Sequence, residues 1–179
     1  GTTSLGASFI IFEGAPDYPA PNRLWEIIEK YQVSIFGISP TAIRLLMKQD
    51  VSWLEKNDLA SLRILGSTGE PWDPESYQWF FEKVGQKRCP IINISGGPEL
   101  VGCLLAPLPI MPLKPCTLGG PGLGMAVDVV NEDAQSLRGE VGYLVCRKPA
   151  PSMTKSFWQD DERYLETYFS KWPEIWFQG

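Results

Sequence analysis

The 179-residue sequence contains no histidine. That removes the Ser-His and Cys-His nucleophile pairs and makes a zinc site improbable. Its four cysteines, Cys89, Cys103, Cys116 and Cys146, include no C-x-x-C spacing. Reduced cysteines packed inside a cytoplasmic fold are expected, because a chain of this size needs no disulfide staple. The 16 Lys and Arg residues form no run, and 21 Asp and Glu residues leave a net charge of −5. This balance argues against a nucleic-acid or anionic-membrane surface. Phosphate groups would be met by main-chain amides or by a few individual side chains. No apolar run approaches the ~20 residues of a membrane span, and no charged-then-apolar leader pattern opens the sequence. Internal repeats and low-complexity tracts are absent as well.

What is present fits a globular protein: 44% hydrophobic residues and seven tryptophans. The length suffices for one sizeable core and a second small unit. Gly1-Thr2-Thr3-Ser4-Leu5-Gly6 leads straight into apolar sequence, and Trp176-Phe177-Gln178-Gly179 ends just past aromatic residues. A piece of a longer protein is expected.

Strand and helix signals alternate in the first half. Ala7 to Phe12 reads as a short apolar strand before the proline-rich turn Pro16 to Pro21. Leu24, Ile27, Ile28 and Tyr31 fall at helical spacing. Val33 to Ile38 reads as a buried strand, and Ser39-Pro40 supplies an N-cap and a first-turn proline for a helix carrying Ile43, Leu46 and Met47. Leu62 to Leu65 is a third strand. Asp73-Pro74 caps a third helix with Tyr77, Phe80, Phe81 and Val84 on one stripe, and Ile91 to Ile94 is a fourth strand. Continuous apolar strands between amphipathic helices predict an α/β fold, with a mostly parallel sheet covered by helices on both faces. Character changes near Pro107: five prolines between 107 and 121 and a cluster of glycines from Gly119 to Gly124 exclude a long helix. Met125 to Val130 and Val141 to Cys146 then suit strands of a smaller, β-rich, barrel-like unit, and a short helix is predicted from Asp161 to Phe169. The expected division is 1–106, 107–150 and 151–179. Glu132-Asp133 and Asp160-Asp161-Glu162 read as solvated turns.

Two strand-end loops carry the functional signal. Gly66-Ser67-Thr68-Gly69-Glu70-Pro71 and Asn93-Ile94-Ser95-Gly96-Gly97-Pro98-Glu99 lie about one βαβ unit apart. Loops at the carboxyl ends of strands in an open α/β sheet are where ligands bind, so the pair forms two walls of one crevice. Thr68 and Ser67 offer hydroxyls, and Pro71 stiffens the exit so that the Gly-Glu main chain presents a flat face to a planar ring. Glu99 brings a carboxylate. Magnesium on nucleotide phosphates takes one or two protein carboxylates, so a single Glu suffices in kind. Gly66–Glu70 is not a Walker A loop, and Gly119–Gly124 follows prolines where a dinucleotide fingerprint needs a strand.

These segments resemble the AMP-forming acyl-CoA synthetases of the adenylate-forming superfamily. The resemblance is nearest to the acetyl-CoA synthetase branch and its relatives for short- and medium-chain acids. It rests on Phe12-Glu13-Gly14-Ala15-Pro16-Asp17-Tyr18-Pro19, on Ser39-Pro40-Thr41-Ala42-Ile43-Arg44 and on the run from Leu62 to Pro71. Arg88-Cys89-Pro90-Ile91, Pro112-Leu113-Lys114-Pro115 and the run from Asp161 to Phe169 continue it in one order. The resemblance implies a ligase that joins a small carboxylic acid to ATP, releases pyrophosphate and passes the acyl group from the adenylate to coenzyme A. It implies that Gly69, Glu70 and Pro71 lie along adenine, with Asn93, Ile94, Ser95, Gly96, Gly97 and Pro98 on the other side. Glu99 would hold Mg2+ on the phosphates of ATP, and Ser39 would stand near the adenine of coenzyme A. Thr68 and Gly96 would line the acyl pocket. It also implies that a phosphate-binding loop, a ribose-binding aspartate and an adenylation lysine lie outside these 179 residues, so the isolated chain is expected to be inactive.

Two positions depart from the family pattern. Pro98 stands where the family carries a threonine whose hydroxyl meets the α-phosphate. Gly96 stands where acetyl-CoA synthetases carry a tryptophan that closes the acyl pocket, so an acid larger than acetate is expected. Two other readings remain open: an adenylating enzyme that serves a carrier thiol, and a degenerate nucleotide-binding module without catalysis.

Overall fold

The structure, a computed structural model, describes residues 2–108 and 110–177. Gly1, Pro109 and the terminal Gln178-Gly179, which entered the readings of the chain ends and the proline stretch, lie outside the described residues.

Helix α1 spans Arg23–Tyr31, and Leu24, Trp25 and Ile28 are its buried face. Tyr31, expected on that face, is 55% exposed. Strand β1 (Ile35–Gly37) leads to α2 (Pro40–Leu46), where Ser39 is the N-cap and its Oγ accepts from the Ala42 amide at 3.3 Å. A four-residue helix α3 (Ser52–Glu55) precedes β2 (Ile64–Ser67). Helix α4 (Pro74–Trp79) is capped by Asp73 and continues as a π-helical turn over Phe80–Val84. Strand β3 is Ile91–Asn93. Both helix starts read from Ser-Pro and Asp-Pro therefore form where expected: a short polar side chain satisfies an open amide, and proline occupies a position that needs none.

Strands β1, β2 and β3 pair in that order, all parallel, with Gly37 opposite Gly66 and Ser67 opposite Asn93. One face meets the helices. Leu65 and Ile91 pack there with Ile28, Ile43, Leu46, Phe80 and Val84, and Trp72 stacks on Phe80 with ring centroids 5.6 Å apart. The other face is not covered by helices among the described residues, contrary to the expectation of a sheet enclosed on both sides. Ile35, Gly37, Ile64, Gly66 and Ile92 instead floor an open groove of about 790 Å³, edged by Pro107, Met111 and Leu113. The predicted first strand, Ala7 to Phe12, is also absent. It runs without regular structure, with Phe9 59% and Ile11 81% exposed, because no described strand pairs with it. The parallel sheet thus has three strands rather than four.

The second half is β-rich but forms no closed barrel among the described residues. Strands β4 (Ser95–Gly97), β5 (Gly102–Ala106) and β6 (Gly120–Pro121) make one antiparallel sheet. Strands β7 (Val127–Val130), β8 (Tyr143–Cys146) and β9 (Trp176–Phe177) make another. Helix α5 covers Asp161–Phe169, as the sequence predicted. A second core joins Leu100 and Leu104 to Cys146, Ala150, Met153 and Trp176. All four cysteines are free thiols, Cys89 and Cys146 buried. The acidic clusters are not merely solvated turns. Asp160 caps α5 through the Arg163 amide at 3.1 Å, and Glu132 accepts from Lys171 Nζ at 2.6 Å and from the Tyr143 hydroxyl.

Candidate nucleotide site

The parallel register places the carboxyl ends of β2 and β3 side by side, and the two signal loops leave them together. Thr68, Gly69, Glu70 and Pro71 on one side and Asn93, Ile94, Ser95 and Gly96 on the other enclose a cleft of about 400 Å³. The crevice expected from the sequence is therefore present, with one difference in kind. Ser95 to Gly97 is strand β4 rather than a loop, paired with β5 across a bulge between Ser95 and Gly96. Gly96 serves that pairing. A Cβ on Gly96 would lie on the Gly102 carbonyl oxygen and 3.1 Å from Cys103 Cα. The space a side chain at 96 would need is filled by β5 backbone rather than left open to the cleft.

The first wall is a main-chain surface. Gly69 takes φ +94°, a left-handed conformation that glycine adopts without strain. The Glu70 carboxylate turns to helix α2, where it accepts from Arg44 Nη2 at 2.9 Å and from the Thr41 hydroxyl. Asp73, three residues on, is bound by the Ser76 side chain and amide and, more weakly, by Arg44. These donors hold its carboxyl down at about 2.

On the second wall Asn93 is 4% exposed, and its Nδ2 donates to the Thr117 carbonyl at 3.4 Å. Its Oδ1 is buried with no hydrogen-bond partner, as is Ser67 Oγ, from its register partner on β2. An unmet buried acceptor costs about 1–3 kcal/mol. With almost no exposed surface, this oxygen is met by a ligand in the cleft only if the Asn93 amide turns. Cys116 and Leu118 close this side, and burial pushes the Cys116 thiol up. Sequence reasoning missed both residues. They sit in the proline-rich stretch, whose local signals speak only of turns, and nothing in their own pattern points to β3.

The remaining predicted residues stand apart from the cleft. Ser39 is occupied as the cap of α2 and borders the apolar groove. Pro98 is exposed and Glu99 half-buried in the turn between β4 and β5. The Glu99 carboxylate folds back over Gly97, so that a Cβ there would come 2.6 Å from the carboxyl carbon. The Glu99 carbonyl accepts from the Thr154 amide at 2.8 Å. After burial, its charge is the next influence raising the Tyr168 phenol on α5. Among the described residues no three His, Cys, Asp or Glu side chains gather into a metal site. Thr68 borders both the cleft and the groove.

With two strand-end walls, a main-chain face and an unmet acceptor, the geometry suits a flat, amine-bearing ring. Residues 1–158 match the family described as AMP-binding enzyme. The chain belongs to this AMP-binding enzyme family. It is 42% identical over 176 residues to an acetyl-coenzyme A synthetase of Chlorobaculum tepidum, covering 97% of this chain and 27% of that protein. It is 44% identical over 177 residues to an acetyl-coenzyme A synthetase of Methanothrix thermoacetophila, covering 98% of this chain and 27% of that protein. The solved acetoacetyl-CoA synthetase from Streptomyces lividans superposes with a TM-score of 0.88 at 29% identity, over 97% of this chain and 28% of that one. The chain thus spans about 27% of the length of the curated relatives it matches. No helix among the described residues is long and apolar enough to cross a membrane.

Proposed function

We propose that this chain supplies the adenine side of the active site in an AMP-forming acyl-CoA synthetase acting on a short- or medium-chain carboxylic acid. The observation that carries the reading is the cleft between Thr68–Pro71 and Asn93–Gly96 with its buried, unmet Asn93 Oδ1, set in a chain of the AMP-binding family. Adenine fits these two walls. The Glu70 main chain offers a flat face, and its carboxylate is withdrawn to Arg44. Asn93 lines the cleft, and a turn of its amide brings Oδ1 to the exocyclic amine and removes the cost of its unmet burial. A wall of main chain and small side chains admits the ring without displacing any charged group.

Glu99 holds Mg2+ on the nucleotide phosphates in this reading. A hard carboxylate is the right donor, and one is enough when phosphates supply the other ligands. When bound, the ion neutralises charge on the phosphates and so eases loss of pyrophosphate. Pro98 offers neither hydroxyl nor amide hydrogen to the α-phosphate. The carboxylic acid lies beside Thr68, which opens on both the cleft and the larger apolar groove. This opening supports an acid larger than acetate. Coenzyme A as acyl acceptor, rather than a carrier thiol, is supported by the names of the relatives. The activity belongs to a longer polypeptide, because the chain matches about a quarter of each relative.

The test is acid-dependent ATP–pyrophosphate exchange by the natural polypeptide that carries this chain. Exchange with an acid longer than acetate, lost on Glu99→Ala without loss of folding, is the expected result. Near-normal exchange in Glu99→Ala sinks the metal assignment, and acetate as the sole acid used sinks the substrate reading. Pro98 favours one second reading, a nucleotide-binding module that has lost catalysis. It predicts AMP binding with no exchange for any acid.

A further inference from the structure

The adenine-side wall has no strand of its own to hold it. Residues 68–73 lie outside regular secondary structure, Gly69 is left-handed, and Pro71 donates no hydrogen bond. A single guanidinium on the neighbouring helix ties this segment down. Arg44 Nη2 donates to Glu70 Oε2 and to Thr41 Oγ1, each at 2.9 Å, while Nη1 donates to Asp73 Oδ2 at 3.2 Å. The Thr41 hydroxyl also donates to Glu70 Oε2, so Glu70 is gripped by two residues of α2. Asp73 in turn accepts from the Ser76 amide at 2.9 Å and caps α4. Two fixed helices and the loop between β2 and α4 therefore meet at one side chain.

We infer that Arg44 is a positioning residue for the nucleotide wall: its guanidinium draws the Glu70 and Asp73 carboxylates to α2 and so lays the Gly69–Pro71 main chain along the cleft. The inference rests on the nucleotide reading of that cleft. A planar guanidinium suits the task because its two nitrogens reach two carboxylates at a fixed spacing, which a lysine ammonium cannot do. Without it, two carboxylates three residues apart are left with no shared cation. Glu70 then keeps only the Thr41 hydroxyl, and a negative side chain that swings toward the cleft opposes an anionic nucleotide. A purely structural role is the alternative. The side chains of Arg44, Glu70 and Asp73 are 39%, 37% and 44% exposed, however, and ion pairs so open to water add little to global stability. Their value lies in geometry.

The experiment measures AMP binding by titration calorimetry, and thermal midpoints, for the natural polypeptide and for Arg44→Ala, Arg44→Lys, Glu70→Gln and the double variant R44A/E70Q. Arg44→Ala is expected to weaken AMP binding at least fivefold, with Arg44→Lys between it and the unmodified protein. The double variant is expected to bind no more weakly than Arg44→Ala, since Arg44 acts through Glu70 and the charge that opposes the nucleotide is gone. Midpoints are expected to move by only a few degrees. Should Arg44→Ala fail to fold, Glu70→Gln carries the comparison and is expected to weaken AMP about threefold. The inference is overturned if Arg44→Ala binds AMP within twofold of an unmodified protein that does bind. It is equally overturned if the effects at 44 and 70 multiply. Absence of AMP binding in the unmodified protein overturns the nucleotide reading, and this inference with it.

Discussion

Two adjacent glycines, Gly96 and Gly97, should respond to the same added methyl group by different amounts and for different reasons. At Gly96 the obstacle is backbone. The new Cβ lands on the Gly102 carbonyl oxygen, 3.3 Å from its carbonyl carbon and 3.1 Å from Cys103 Cα. Neither atom can yield without parting β4 from β5. Overpacking against such an obstacle costs about 1–3 kcal/mol. At about 2–4 °C per kcal/mol for a domain of this size, the midpoint falls by about 2–12 °C. At Gly97 the obstacle is the far end of a flexible side chain, the Glu99 carboxylate. Turning it out costs about 0.5–1.5 kcal/mol if it leaves its rotamer well. The reduced freedom of the unfolded chain returns about 0.4–1 kcal/mol. Gly97→Ala should therefore melt within about 4 °C of the unmodified protein. Its effect should fall on metal-dependent exchange, because the carboxylate that holds Mg2+ in the proposed mechanism has been moved. Thermal unfolding followed by circular dichroism on matched preparations decides the matter. If Gly97→Ala melts at or below Gly96→Ala, or if Gly96→Ala melts with the unmodified protein, the β4–β5 approach is not what demands glycine at 96. The absent side chain would then have to be explained by the cleft.

Asp128 is 9% exposed and accepts from Ser136 Oγ, from Arg147 Nε at 2.7 Å and from Arg138 Nη1 at 2.8 Å, which hold its carboxyl far below the usual carboxylate range. A depressed folded pKa adds stability above the unfolded value of about 3.9 that is lost as pH falls through the folded one. Urea midpoints should therefore fall as pH drops below about 5, and Asp128→Asn should cost about 1–3 kcal/mol at pH 7 and flatten that acid-side loss; equal acid sensitivity in both proteins contradicts this. Restoring a hydroxyl with Pro98→Thr should raise pyrophosphate exchange about 10- to 100-fold, the worth of one hydrogen bond to a charged group, and unchanged exchange would mean that residue 98 does not meet the phosphate.

Local chemistry was legible wherever it was self-contained. Ser39-Pro40 and Asp73-Pro74 each carry their own start signal, and each becomes a helix where it was read, as does Asp161 to Phe169, although its cap Asp160 reads as a solvated turn. The two cleft walls were legible for a related reason. Apolar strands ending in Gly-Ser-Thr-Gly and Ser-Gly-Gly leave few topologies other than neighbouring parallel strands, and the register of β2 with β3 supplies the rest. What escaped the sequence is what depends on a partner. Ala7 to Phe12 has the composition of a strand, yet a strand exists only through its ladder, and no described strand offers one. Ser95-Gly96-Gly97 has the composition of a turn, yet β5 arrives close enough to make it a strand and to fix Gly96 by exclusion. Cys116 and Leu118 reach the cleft from a stretch whose prolines announce only that it is not helical. Arg44 shows the same limit at the level of a side chain. Its pattern marks it as a polar residue of a short helix, and only the fold reveals that Glu70 and Asp73, 26 and 29 residues away, converge on it. The walls of the site are thus written locally, whereas the groups that hold the walls in place are assigned by tertiary structure. A variant library confined to the two strand-end loops would leave Arg44, Cys116 and Leu118 untouched.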